Sequence, residues 1–144
     1  MKIRPTWILI EDGCILLLDQ NVNSSRKWSL PWGSLEEWET LENGLIREMK
    51  EETWLTVKIK KLLYINDFFR NDTYVLHVMF LVEKVWGILG DKIDGVDEEE
   101  IRWVKMVPIT DIEKYGFTEK FKKIIEMNFP DAGNYMGIKS NIGL

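Results

Sequence analysis

The chain predicts an α+β fold, a mixed β-sheet with helices packed on it, from three features of its 144 residues. Strand-like apolar runs alternate with polar turns through most of the first hundred residues. One segment after residue 40 switches to an apolar period of four. A second helical segment follows the last strand. With 45% apolar and 30% charged residues, the chain suits a single domain over 1–144.

The elements follow in order. Residues 2–10, "KIRPTWILI", and 14–19, "CILLLD", read as strands joined by a turn at Glu11, Asp12 and Gly13. "QNVNSSRK" is a polar loop, and "WSLPWGS" is punctuated by Pro31 and Gly33. From Thr40, the residues Leu41, Leu45 and Met49, with Ile46 alongside, mark an amphipathic helix. Thr40 is its N-cap and Glu42 suits its first turn, while Gly44 costs roughly 1 kcal/mol against alanine. Residues 55–69 and 73–83 form a hairpin around Arg70, Asn71 and Asp72. Residues 87–99 are an acidic, glycine-bearing loop, 100–106 a short strand, and 118–129 a helix capped by Thr118. The tail from about 130 carries glycines without a clear period and is a candidate contact for a homodimer.

Bulk properties exclude several functions. No apolar run approaches the roughly 18 residues of a membrane span. The N-terminal apolar patch is cut short at Glu11 and Asp12 with no small-residue cleavage site, so a cytoplasmic location is expected. The net charge of −5 argues against nucleic acid as the partner. Cys14 stands alone, which rules out an internal disulfide, and its apolar run predicts a buried inert thiol. The single histidine, His77, reads as a satisfied strand residue.

Glu48, Glu51 and Glu52 stand i, i+3 and i+4 on the helix and project from one side. Their repulsion costs a few tenths of a kcal/mol per pair. A solvated acidic face would tolerate that cost, and a hard divalent cation would use it. Arg47 is adjacent in sequence but not expected to face Glu48. These residues alone leave both readings open.

The wider spacing favours one. Gly33, five residues, Glu39, seven residues, Arg47-Glu48-Met49-Lys50-Glu51-Glu52, one residue and Trp54-Leu55 closely resembles the Nudix box, G-x5-E-x7-R-E-U-x-E-E-x-G-U, of the Nudix (MutT-type) hydrolases. "WSLPWG" and "EEEIRWV" resemble the approach and the late strand, so the likeness covers about 3–128. The resemblance implies a mixed sheet sandwiched between α-helices. It also implies Mg²⁺- or Mn²⁺-dependent hydrolysis of a nucleoside diphosphate linked to another moiety, such as a nucleoside triphosphate or ADP-ribose. By the same resemblance Glu48, Glu51 and Glu52 face the metal and Glu51 is the first choice of base. Glu98, with Asp97, Glu99 and Glu100, is the alternative base from the later loop. Arg47 would orient a glutamate, Gly33 would let the loop fold against the helix, and Glu39 would support the loop. Trp28 and Trp103 suit either base stacking or core packing, and so do Phe68, Phe69 and Tyr74 nearer the hairpin tip.

Three tryptophans, Trp32, Trp38 and Trp54, stand where the family pattern has glycine. Glycine suits φ > 0, so tryptophan there is expected to strain the loop and to tilt or fray the helix end. A second reading is therefore a Nudix-like module that binds nucleotide without turning it over.

Overall fold

The computed structural model describes residues 1–19, 28–89 and 103–144. Its first strand, β1 (Lys2–Glu11), serves two sheets. Lys2 to Leu9 run parallel to β5 (Thr73–Trp86), whereas Ile10 and Glu11 pair antiparallel with β2 (Cys14–Asp19). β2 also pairs with β3 (Trp28–Ser29) and β6 (Trp103–Pro108). On the other side, β4 (Thr56–Arg70) and β5 form the expected hairpin, and β7 (Asn134–Ile138) runs parallel to β4. The order is β3-β2-β1-β5-β4-β7, with β6 on β2.

Successive side chains of a strand face opposite sides, and this alternation divides the core in two. Trp7 and Leu9 of β1 pack with Val78 and Phe80 of β5 beneath Leu45 and Met49 of α1 (Leu41–Thr53). Ile8 packs with Met79, Leu81 and Leu63, on the side of Phe121 and Ile125 from α2 (Glu119–Glu126). The sheet thus lies between the two helices, as expected. Both predicted caps form: Thr40 and Thr118 each accept from the backbone N–H three residues on, at 3.1 Å.

Several expectations change. The second helix stops at Glu126 rather than 129, because Asn128 and Phe129 adopt φ of 58° and 55°. A 3₁₀ turn, Ile109–Tyr115, precedes it. The unassigned tail is ordered against its own chain: Tyr64 Oη donates to Pro130 O at 2.6 Å, Gly133 N to Leu63 O at 2.7 Å, and Ile142 is buried. Cys14 is partly exposed at the start of β2 rather than buried. The loop expected at 20–27, the acidic loop beyond residue 89, and residues 100–102 of the late strand lie outside the described residues.

Candidate active site

The loop before α1 is placed by β1. Residues 31–33 run along it, with Trp7 N–H donating to Pro31 O and Gly33 N–H to Pro5 O, both at 3.1 Å. Thr6 and Trp32 form an antiparallel bridge. Gly33 is then pressed on α1, where an added Cβ would stand 2.5 Å from Glu48 Cγ. Gly44 serves the same end from the helix, since a Cβ there would meet Leu35 Cδ2 at 2.7 Å and Glu39 Oε1 at 3.0 Å. Its propensity cost is the condition for docking the loop.

Arg47 ties loop and helix together. Its Nε donates to Glu39 Oε2 at 2.7 Å and its Nη2 to Glu39 Oε1 at 2.9 Å, a two-pronged pairing that fixes the guanidinium plane. Nη2 also donates to Ser34 O at 3.2 Å. Nη1 reaches Glu48 Oε1 at 3.1 Å and Glu51 Oε2 at 3.3 Å. Contrary to expectation, then, Arg47 does meet its neighbour Glu48, because both side chains are long enough to fold toward the same loop. The hydrogen bonds from Arg47, followed by the one from Glu36 N–H, hold the Glu39 carboxyl at about 2. Glu39 and Glu48 in return raise the Arg47 pKa. Ser34 has no signal in the sequence, since it contributes only a backbone carbonyl; Glu36 contributes a backbone N–H to Glu39 and a carboxylate 3.6 Å from Arg47 Nη1.

The three helix carboxylates differ in setting. Glu48 is mostly covered, Glu51 is 60% exposed at its side chain, and Glu52 turns one oxygen inward. As hard oxygen donors within one helical turn, they suit Mg²⁺ or Mn²⁺. Among the described residues no three His, Cys, Asp or Glu side chains converge to grip an ion; Glu48 and Glu51 are turned to Arg47 instead. The donor chemistry fits a divalent cation, and the present rotamers do not yet assemble it. Glu98 and its acidic neighbours lie outside the described residues. Trp28 sits apart from this group, its ring edge-on to Tyr115 at 5.3 Å and packed on the core.

The tryptophans divide. Trp54 and Trp38 take φ of 64° and 67°, the left-handed region that favours glycine. Trp32 does not: it is held in the bridge to Thr6, with Arg4 stacked 4.0 Å over its ring. Nor does Trp54 fray the helix. It is the C-cap, its N–H donating to Lys50 O at 2.9 Å, while Gly87 packs closely on its carbonyl. Trp38 is 97% exposed.

The family model for the NUDIX domain matches residues 2–127. An ADP-ribose pyrophosphatase from Methanocaldococcus jannaschii is 33% identical over 95 residues, 64% of this chain and 56% of that relative. The match thus spans little more than half of that relative. Among solved structures, a UDP-X diphosphatase superposes with a TM-score of 0.69 at 19% identity, covering 93% of this chain and 66% of that one. The mutator MutT protein from Bacillus halodurans gives a TM-score of 0.69 at 17% identity, over 95% and 88% of the two chains. With the box docked on β1, the sheet between two helices and a family match over residues 2–127, the chain belongs to the NUDIX domain family.

Proposed function

We propose that the chain is a divalent-metal-dependent pyrophosphohydrolase that cleaves a nucleoside diphosphate linked to another moiety, such as a nucleoside triphosphate or ADP-ribose. The observation that carries this reading is the loop–helix unit, in which Arg47 clamps Glu39 and holds Glu48 and Glu51 on one flank of α1. Glu48, Glu51 and Glu52 would hold Mg²⁺ or Mn²⁺. When bound, such an ion neutralises phosphate oxygens and acidifies a coordinated water.

The protein's own groups supply the rest. Glu51, with its side chain 60% exposed against 18% for Glu48, accepts the water's proton at a carboxylate oxygen. Arg47 sets the direction of Glu48 and Glu51 through one nitrogen, and Glu39 keeps that nitrogen in place. Gly33 lets the loop approach Glu48 without a side chain intervening. The partner is a small nucleotide rather than nucleic acid or membrane, in keeping with the net charge of −5, and the setting is the cytoplasm.

A second reading, a nucleotide-binding module without turnover, draws on the carboxylates paired to Arg47 and on two tryptophans in the left-handed region. One experiment separates the two. The purified chain is incubated with Mg²⁺ or Mn²⁺ and a panel of nucleoside triphosphates, ADP-ribose and nucleotide sugars, with EDTA controls. EDTA-sensitive release of a mononucleotide is expected, with Glu52→Gln lowering the rate by about 100-fold or more. Equal rates in wild type and E52Q would sink the assignment.

A further inference from the structure

We propose that the stretch of the α1-side sheet face that α1 leaves uncovered, centred on Phe69 and Tyr135, is the contact surface for a second copy of this chain.

Strand alternation defines the face. On β1 it carries Ile3, in series with Trp7 and Leu9, and on β5 it carries Tyr74 and Leu76, in series with Val78 and Phe80. On β4, Asp67 and Phe69 lie opposite Leu76 and Tyr74, so they share it. On β7, Tyr135 pairs with Ile65, the register partner of Val78, and Ile138 pairs with Asp67. α1 packs over Trp7, Leu9, Val78 and Phe80, and Leu76 marks the margin of its cover. Beyond that margin Phe69 is 67% exposed, Tyr135 62%, Ile138 53% and Ile3 37%. The same strands are covered on their reverse, where Asn66, Val75 and His77 are buried. His77 keeps its Nε2 without a hydrogen-bond partner there, contrary to the satisfied residue expected. This end of the sheet is therefore closed on one side only.

Composition and size select the occupant. Among the strand residues of this stretch Asp67 alone is acidic or basic, and each of its oxygens accepts from a phenol of the same face, Tyr74 or Tyr135. These strands thus present no row of charge to a charged partner, and the one carboxylate that a contact would bury is already hydrogen-bonded. The rest is aromatic and aliphatic surface, the composition of a homodimer core. Fully covered, the exposed side chains would withdraw on the order of 600 Å² per protomer, the upper end of what a monomer leaves open. That is most of the roughly 800 Å² that one partner gives to a standard interface. A two-fold axis meets the demand with one surface, since it sets the same patch on both sides. Sheet faces pack directly on one another, so no groove is needed. Tyr135 and Ile138 belong to the tail, the segment expected to serve a homodimer contact.

Sedimentation equilibrium of the full chain tests the contact. Wild type is expected at twice the 17.0 kDa of the chain, dissociating on dilution. Phe69→Glu and, separately, Ile138→Lys each set like charges into an apolar contact, and each is expected to weaken the dimer by about 100-fold or more. Both side chains are more than half exposed, so circular dichroism and melting of the variants should match wild type, and either variant suffices if the other loses its fold. Wild type that stays at 17.0 kDa up to about 100 μM would overturn the proposal and leave the face to a partner of another sequence. A dimer that the folded variants retain would also overturn it, by placing the contact elsewhere. These masses do not depend on turnover, so the contact and the proposed hydrolysis stand or fall separately.

Discussion

The two faces of the central sheet treat charge in opposite ways. On the α1 face, Arg47 serves four carboxylates, from Glu36, Glu39, Glu48 and Glu51, all within 3.6 Å. On the other face, Arg4 has an aromatic ring beneath it and no carboxylate partner among the described residues. A guanidinium ringed by carboxylates orders a site, because its fork fixes their positions. A guanidinium backed by tryptophan is held by its stack on the ring instead. Trp32 and Gly33, adjacent in sequence, face the two regions in turn, and the difference between them is the presence of one side chain.

Arg47→Lys breaks the ordered side of this comparison and should have the largest effect. Lysine keeps the charge and loses the fork. The hydrolysis assay should show turnover about 100-fold lower, the scale expected when catalytic groups are misplaced by about 1 Å. NMR titration should show the Glu39 carboxyl moving from about 2 back toward 4.5. A Glu39 titration that stays low in R47K would mean that another group orders the loop.

His77→Gln sharpens the cationic side. The folded-state pKa of His77, about 3, lies below its ordinary 6.5. Between these values the unfolded chain binds the extra proton, so stability is complete above 6.5 and falls with pH through that window. Glu39 contributes in the same direction only below 4.5, as the pH falls toward about 2. Urea unfolding of wild type should therefore lose up to about 2 kcal/mol between pH 6.5 and about pH 5. H77Q should be nearly flat there, and an unchanged slope would place the titrating group elsewhere.

Trp54→Gly has the smallest expected effect. It relieves a left-handed tryptophan at the α1 C-cap and should stabilise the fold by about 1 kcal/mol in the same assay. No gain would mean that packing of the partly buried ring offsets the backbone strain.

Local spacing was enough to read α1, both caps, the β4–β5 hairpin and the line of glutamates, because each depends on neighbours within a few residues. Gly44 was legible only as a cost, since its reason, Leu35 and Glu39 lying against it, is a contact between loop and helix. Trp32 stands at a family glycine position yet avoids the left-handed region, because the bridge that holds it comes from Thr6, on a strand 26 residues earlier in the chain. The tail was unreadable for a similar reason: β7 is a short edge strand with Gly137 at φ 75°, and it gains order from Leu63, Tyr64 and Asn66 rather than from its own period.

By itself, then, the order of residues determined the family, the helix that carries the carboxylates and the arginine beside them. Each is encoded in spacings that a helix or strand converts directly into direction. Only the tertiary structure decided that Arg47 clamps Glu39 and that Arg4, His77, Phe68 and Lys139 meet on one face. Those residues come from separate strands and from the tail, and pairing between strands distant in sequence brings them together.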